Sequence, residues 1–88
     1  MSAAFSVSVV SREAILYEGS ATSIVAPGEL GYLGILKDHA PLATTLTRGT
    51  INILNGAESR VKIEIKSDGF LEVLKNHVSI VLDQAELI

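Results

Sequence analysis

Apolar residues recur at every second position along almost the whole chain. Phe5, Val7 and Val9 alternate with Ser6 and Ser8, and Val61, Ile63 and Ile65 alternate with Lys62, Glu64 and Lys66. A period of two sends successive side chains to opposite faces of an extended strand, so these runs predict strands with one buried and one solvated face. The same pattern predicts strands over residues 14–17, 21–26, 33–36, 42–46, 50–54, 70–74 and 78–82. Turn formers separate them, among them Glu18-Gly19, Pro27-Gly28, Arg48-Gly49, Asp68-Gly69 and Lys75-Asn76. Asn55-Gly56 is the strongest hairpin signal, because both residues tolerate positive φ. Pro41 biases Ala40 away from helix, which makes residues 37–41 a turn. Only residues 83–88 offer the start of a helix.

About nine or ten short strands with turn signals roughly every 8 to 12 residues predict an all-β fold, an antiparallel β-sandwich or flattened barrel. The chain of 88 residues makes a single domain, 1–88. Its hydrophobic content of 48% excludes disorder. With two Phe, two Tyr and no Trp, the core must be built from Val, Ile, Leu and Ala. There is no cysteine, so disulfides and thiolate metal sites are excluded.

The net charge is −3, without blocks of one sign. Arg60, Lys62 and Lys66 form the one basic cluster, and Glu58 and Glu64 interrupt it. That reads as a solvated strand face, and no nucleic-acid partner is expected. No apolar run approaches the ~18 residues of a membrane span, and the first residues lack the basic start of a signal peptide. A soluble protein is expected, with any membrane association through a partner.

Candidate chemistry is sparse. Gly28, Gly31 and Gly34 stand three apart, but Ile35-Leu36 follows them where a phosphate loop needs a Lys-Ser/Thr pair. The glycines are therefore read as backbone devices, allowing positive φ or close approach. His39 and His77 are the two histidines, too few and too far apart for a local metal motif. His39 either orients its own turn or touches a partner. Ser11, Ser67 and Thr44 lack a nucleophile elbow or a base at motif distance. No catalytic residue, cofactor or metal is expected. Leu30, Tyr32 and Leu33 remain, apolar residues between glycines in a predicted loop. Such a group either marks a protein contact or folds back over one end of the sandwich.

These residues resemble a known family over nearly the whole chain, the amino-terminal β-sandwich domain of the epsilon subunit of F-type ATP synthases. FSVSVVSRE (5–13) is similar to the family's opening strand, and LGILKDHAPL (33–42) to its L-G-I-x-x-x-H-A-P-L motif. TRGTI (47–51) resembles its P-G-x-I-type turn, and SDGFLEVLKNHVSIVLD (67–83) its G-G-x-L-E-V segment. The family often has an acid just before L-G-I, where this chain has Tyr32, with Glu29 three positions earlier. The family usually continues into a helical hairpin that inhibits ATP hydrolysis and in some members binds ATP. This chain stops at Ile88, as either a naturally short member or a truncated one would, and in both cases neither property carries over.

The resemblance implies a noncatalytic central-stalk (rotor) subunit that docks on the gamma subunit and the c-ring. It would couple ion flow to ATP synthesis at the cytoplasmic face of the bacterial plasma membrane, as a peripheral part of the complex. By the same resemblance, Ser11, His39 and Thr44 match positions on the face packed against gamma. Glu29, Leu30, Tyr32 and Leu33 match the loop that reaches the ring. The alternative from the residues alone is a small β-sandwich that binds a carbohydrate or peptide; the absence of Trp counts against it.

Overall fold

Alternation decides which face of each run is buried, and backbone hydrogen bonding decides which runs lie side by side. The computed structural model describes residues 3–57 and 59–88. Its strands are β1 (Phe5–Val10), β2 (Ile15–Ala21), β3 (Ser23–Gly28), β4 (Gly31–Ile35) and β5 (Leu42–Leu46). They continue as β6 (Gly49–Asn55), β7 (Ser59–Ile65), β8 (Gly69–Leu74), β9 (His77–Leu82) and β10 (Ala85–Leu87). The hydrogen-bonded order is β10-β7-β6-β3-β5-β8-β9-β1-β2, with β4 on the other side of β3. β3 and β5 meet through the single pair Gly28–Leu46. That narrow joint divides the ladder into two halves, β4-β3-β6-β7-β10 and β5-β8-β9-β1-β2, whose apolar faces share one core.

The core is the inward set that the alternation marks. Phe5, Val7, Val9, Ile63, Ile65, Val78, Ile80 and Leu82 are all buried, with Ile24, Ile35, Ile51, Ile53 and Leu71 among them. Val61 is half-buried against the same cluster. No polar or charged side chain among the described residues is buried. Hydrophobic burial alone therefore supports the interior, with no ionic or polar network to satisfy.

Four local expectations need correction. Residues 83–88 do not start a helix: β10 runs antiparallel along β7, pairing Ala85 with Ile65 and Leu87 with Ile63. The open edge of β7 supplies hydrogen bonds that an isolated helical turn could not match, including Lys66 N–H to Gln84 O at 2.8 Å and Ile88 N–H to Lys62 O at 3.0 Å. The glycine segment is a hairpin, not a loop. Gly28 closes β3, Gly31 opens β4 and pairs with it, and only Glu29-Leu30 lies between them. Tyr32 and Leu33 therefore sit on a strand.

Asn55-Gly56 is likewise not a two-residue turn. Asn55 pairs with Ser59 across a three-residue connection, and Gly56 takes the left-handed φ of 74°. Glu58 lies outside the described residues. The tight two-residue turn is Lys75-Asn76, with φ of 50° and 61° between the paired residues Leu74 and His77. Finally, β1 and β9 pair in parallel, whereas the other ladders are antiparallel. Parallel neighbours need no turn between them, so no local residue announces this pairing.

Candidate functional site

Antiparallel connectivity sorts the connections to two ends of the sandwich. Residues 11–14, 29–30, 47–48, 66–68 and 83–84 gather at one end, which we call the loop end. Residues 36–41, 56–57 and 75–76 lie at the other. The turn of the β3–β4 hairpin lies at the loop end. Leu30 at its tip is fully exposed (relative exposure 104%). Its neighbour Glu29 is tied down, because the Thr45 hydroxyl donates to Glu29 Oε1 at 2.6 Å. Gly28, two residues before Leu30, has no room for a side chain. A Cβ there would lie 2.8 Å from Leu33 and 2.9 Å from the Gly31 carbonyl. The tip is thus a braced apolar point.

The other residues of this group diverge. Tyr32 is 63% exposed, pairs with Pro27 across the hairpin, and sets its hydroxyl beside Gly49. The Thr50 N–H reaches its hydroxyl at 3.5 Å. Leu33 turns the opposite way and packs half-buried against the core. The two readings left open for the apolar group are thus divided between residues: Leu30 points out and Leu33 folds in.

Ser11, His39 and Thr44 are not brought together. Ser11 is half-buried at the loop end, where its hydroxyl shapes the β1–β2 turn by donating to Ala14 O at 3.4 Å and accepting from Glu13 N–H. Thr44 sits in the middle of β5, opposite Leu71 and half-buried. His39 lies at the far end, beside the turn that Asp38 and Asn76 clamp. There the Asp38 N–H donates to Asn76 Oδ1 at 2.7 Å, and Asn76 Nδ2 donates back to Asp38 Oδ1 at 2.9 Å. His39 N–H closes the turn on Leu36 O at 3.2 Å, and its ring Nδ1 donates to Ala40 O at 2.7 Å. These bonds give His39 the turn-orienting role. Because Asp38 and Asn76 both hold left-handed φ (64° and 61°), the clamp fixes two turns at once. Asn76→Ala should cost about 1–3 kcal/mol by stranding its partners at an unfavourable φ. Urea unfolding measures it, and a change below about 0.5 kcal/mol would show that the clamp is ornamental.

Charges at the loop end are arranged in pairs. Arg12 meets Asp83 at 3.4 Å, Lys66 meets Glu86 at 3.0 Å, and Arg48 Nε donates to Lys66 O at 3.1 Å. The hydrogen bond to Glu86, then its negative charge, raises the Lys66 ammonium above its usual range. Such solvent-exposed pairs add little stability and mainly position loops.

One contact has no local sequence signal, Ser6 Oγ to His77 Nδ1 at 2.6 Å. It joins residues 71 apart through the parallel β1–β9 pair. A hydroxyl against an imidazole is the start of a nucleophile–base pair, but both groups lie on an exposed strand face, and no carboxylate orients His77 among the described residues. No three His, Cys, Asp or Glu side chains among those residues are grouped to hold a metal ion. The glycine hairpin opens no helix, so it presents none of the stacked N–H groups that cradle phosphates. Titration with millimolar ATP in a calorimeter should return no saturable heat. Stoichiometric binding at micromolar affinity would contradict this reading of the hairpin.

The fold defines an all-β domain of ten strands in a mostly antiparallel, nearly closed sheet. The chain belongs to the family described as ATP synthase, Delta/Epsilon chain, beta-sandwich domain, whose model matches residues 4–88. It is 42% identical over 81 residues to the ATP synthase epsilon chain of Leptospira interrogans, covering 92% of this chain and 62% of that relative. In fold it is similar to a chain of the Euglena gracilis mitochondrial ATP synthase OSCP/F1/c-ring structure, with a TM-score of 0.87 at 19% identity, covering 99% of this chain and 55% of that one. A chain of the Tetrahymena thermophila mitochondrial ATP synthase central stalk/c-ring structure gives a TM-score of 0.75 at 15% identity, over 91% of this chain and 63% of that one. The chain therefore spans less than two thirds of the length of these relatives.

Proposed function

We propose that this chain is a noncatalytic piece of the ATP synthase central stalk, docking on the gamma subunit and the c-ring so that ion flow is coupled to ATP synthesis. The observation that carries this reading is the braced hairpin tip. Leu30 stands fully exposed at the end where five connections gather, on a two-strand support that cannot easily give way. A rotor part must pass torque without deforming, and a ladder whose interior is wholly apolar and close-packed is stiff. The family assignment, and the central stalk/c-ring context of the Tetrahymena structure, support the same reading. In this reading the chain lies at the cytoplasmic face of a bacterial plasma membrane and reaches the membrane only through the complex.

Within it, the loop end faces the ring through Glu29, Leu30 and Tyr32, and Ser11 borders the same end. A gamma contact that used Ser11, Thr44 and His39 together would run the length of β5. The test is reconstitution into membranes carrying an epsilon-depleted ATP synthase. The chain should restore ATP-driven ion pumping. Unchanged pumping, with the chain folded and in excess, would overturn the proposal.

A further inference from the structure

Asn55-Gly56 is the chain's strongest turn signal, and neither residue belongs to the candidate site. Of the three asparagines, Asn55 alone precedes a glycine; Ile53 follows Asn52 and His77 follows Asn76. An asparagine side chain is open to attack by the backbone nitrogen that follows it, and a glycine, without a Cβ, leaves that nitrogen unhindered. Asn55 and Gly56 are both exposed, yet both reacting groups are held. The Gly56 N–H donates to Thr22 Oγ1 at 3.0 Å, and the Thr22 hydroxyl in turn donates to Leu54 O at 3.2 Å. Thr22 is anchored there by its own N–H, which donates to Leu54 O at 2.6 Å. Asn55 Nδ2 donates to Ser20 Oγ at 3.1 Å. Ser20 and Thr22 flank the last residue of β2, so one junction, β2 to β3, grips the nucleophile and the leaving group together. Asn55 also ends β6, and an extended backbone, with ψ near about +135°, turns the next nitrogen away from the residue's own side-chain carbonyl carbon.

We infer that Asn55 is a self-modification site kept closed by Ser20 and Thr22, at which local opening of the β2–β3 junction lets the chain deamidate itself. In that reaction Gly56 N gives its proton to solvent base, and its electron pair attacks Asn55 Cγ. The Cγ–Nδ2 bond breaks, and Nδ2 leaves as ammonia with protons drawn from water. The succinimide so formed takes up one water at either carbonyl. The product is aspartate, or isoaspartate with one more carbon in the main chain, and each carries a negative charge that Asn55 lacks. Removal of the Gly56 amide proton by solvent base is also the first step of amide hydrogen exchange, and a closed hydrogen bond blocks both. The site holds whether or not the chain docks on a rotor.

Peptide-mapping mass spectrometry of the whole folded chain at neutral pH, beside the free peptide 51–57, tests this. The parent should deamidate at Asn55 at least about tenfold more slowly than the peptide. Thr22→Val keeps the side chain's shape and removes its hydroxyl. It should react roughly fivefold or more faster than the parent, as the loss of a net hydrogen bond implies, with Gly56 amide exchange rising in parallel. Thr22→Ser, which keeps the hydroxyl, should react at the parent's rate. Ser20→Ala alters an exposed side chain and should also react faster while staying folded. Ile80→Ala, which weakens the core without touching the junction, should not match Thr22→Val. A parent that reacts as fast as the peptide would overturn the inference. So would parent-like rates in folded Thr22→Val and Ser20→Ala. Equal acceleration by Ile80→Ala would overturn it too, because global unfolding would then expose the site.

Discussion

Ile80→Ala should lower the unfolding free energy by about 2–5 kcal/mol, whereas Val81→Ala, one residue along, should change it by no more than about 0.5 kcal/mol. Ile80 is 1% exposed in the middle of β9, paired with Leu71 on β8 and Val9 on β1, both fully buried. Sheet hydrogen bonds hold those neighbours on either side, so they cannot collapse into the space left by three missing carbons. The loss is therefore a transfer term plus an unfilled cavity. Domains of this size are stable by only about 5–15 kcal/mol, so the variant gives up a large share of its stability. Val81 faces outward, and truncating it exposes little that was dry. Urea unfolding with an unchanged m-value separates the two residues. Equal costs would mean that the alternation does not define the core.

Leu30→Asp should leave the melting temperature unchanged and weaken binding to a gamma–c-ring assembly by about tenfold or more, which is ~1.4 kcal/mol or more. The fully exposed side chain contributes nothing to the fold, so whatever it contributes must be to a partner. Tyr32→Asp offers a second, distinguishable result. Tyr32 supplies a large apolar area with a polar tip, and the substitution restores an acid at the position where the resembled family often has one. A packing contact is weakened by it, and a charge-driven contact is not. Because the Tyr32 hydroxyl also lies beside Gly49 and meets the Thr50 N–H, the variant's melting temperature must be recorded beside the affinity. Binding by both variants at the parent's strength, with both folded, would move the ring contact away from this hairpin.

Much of the fold was legible because burial here is one-sided. Phe5-Val7-Val9 and Val78-Ile80-Leu82 could be assigned to strands and to the core from alternation alone, and each lies there. What was not legible depends on partners distant in sequence. Gln84-Ala85-Glu86-Leu87 contains good helix formers, and only the free edge of β7 makes it a strand. The parallel pairing of β1 with β9 has no turn to mark it, so Ser6 and His77 meet unannounced. The candidate site was legible in part. The glycine spacing pointed to residues 29–33, but a turn of only two residues leaves Leu30 alone at the tip and sends Leu33 inward.

This domain is proposed to dock on the ATP synthase rotor. Native mass spectrometry of a purified gamma–c-ring rotor, stripped of its own epsilon chain and mixed with this chain, tests it most directly. One copy should bind per rotor, and Leu30→Asp should lose it. A rotor that carries no copy in the presence of excess folded chain would contradict the proposed docking.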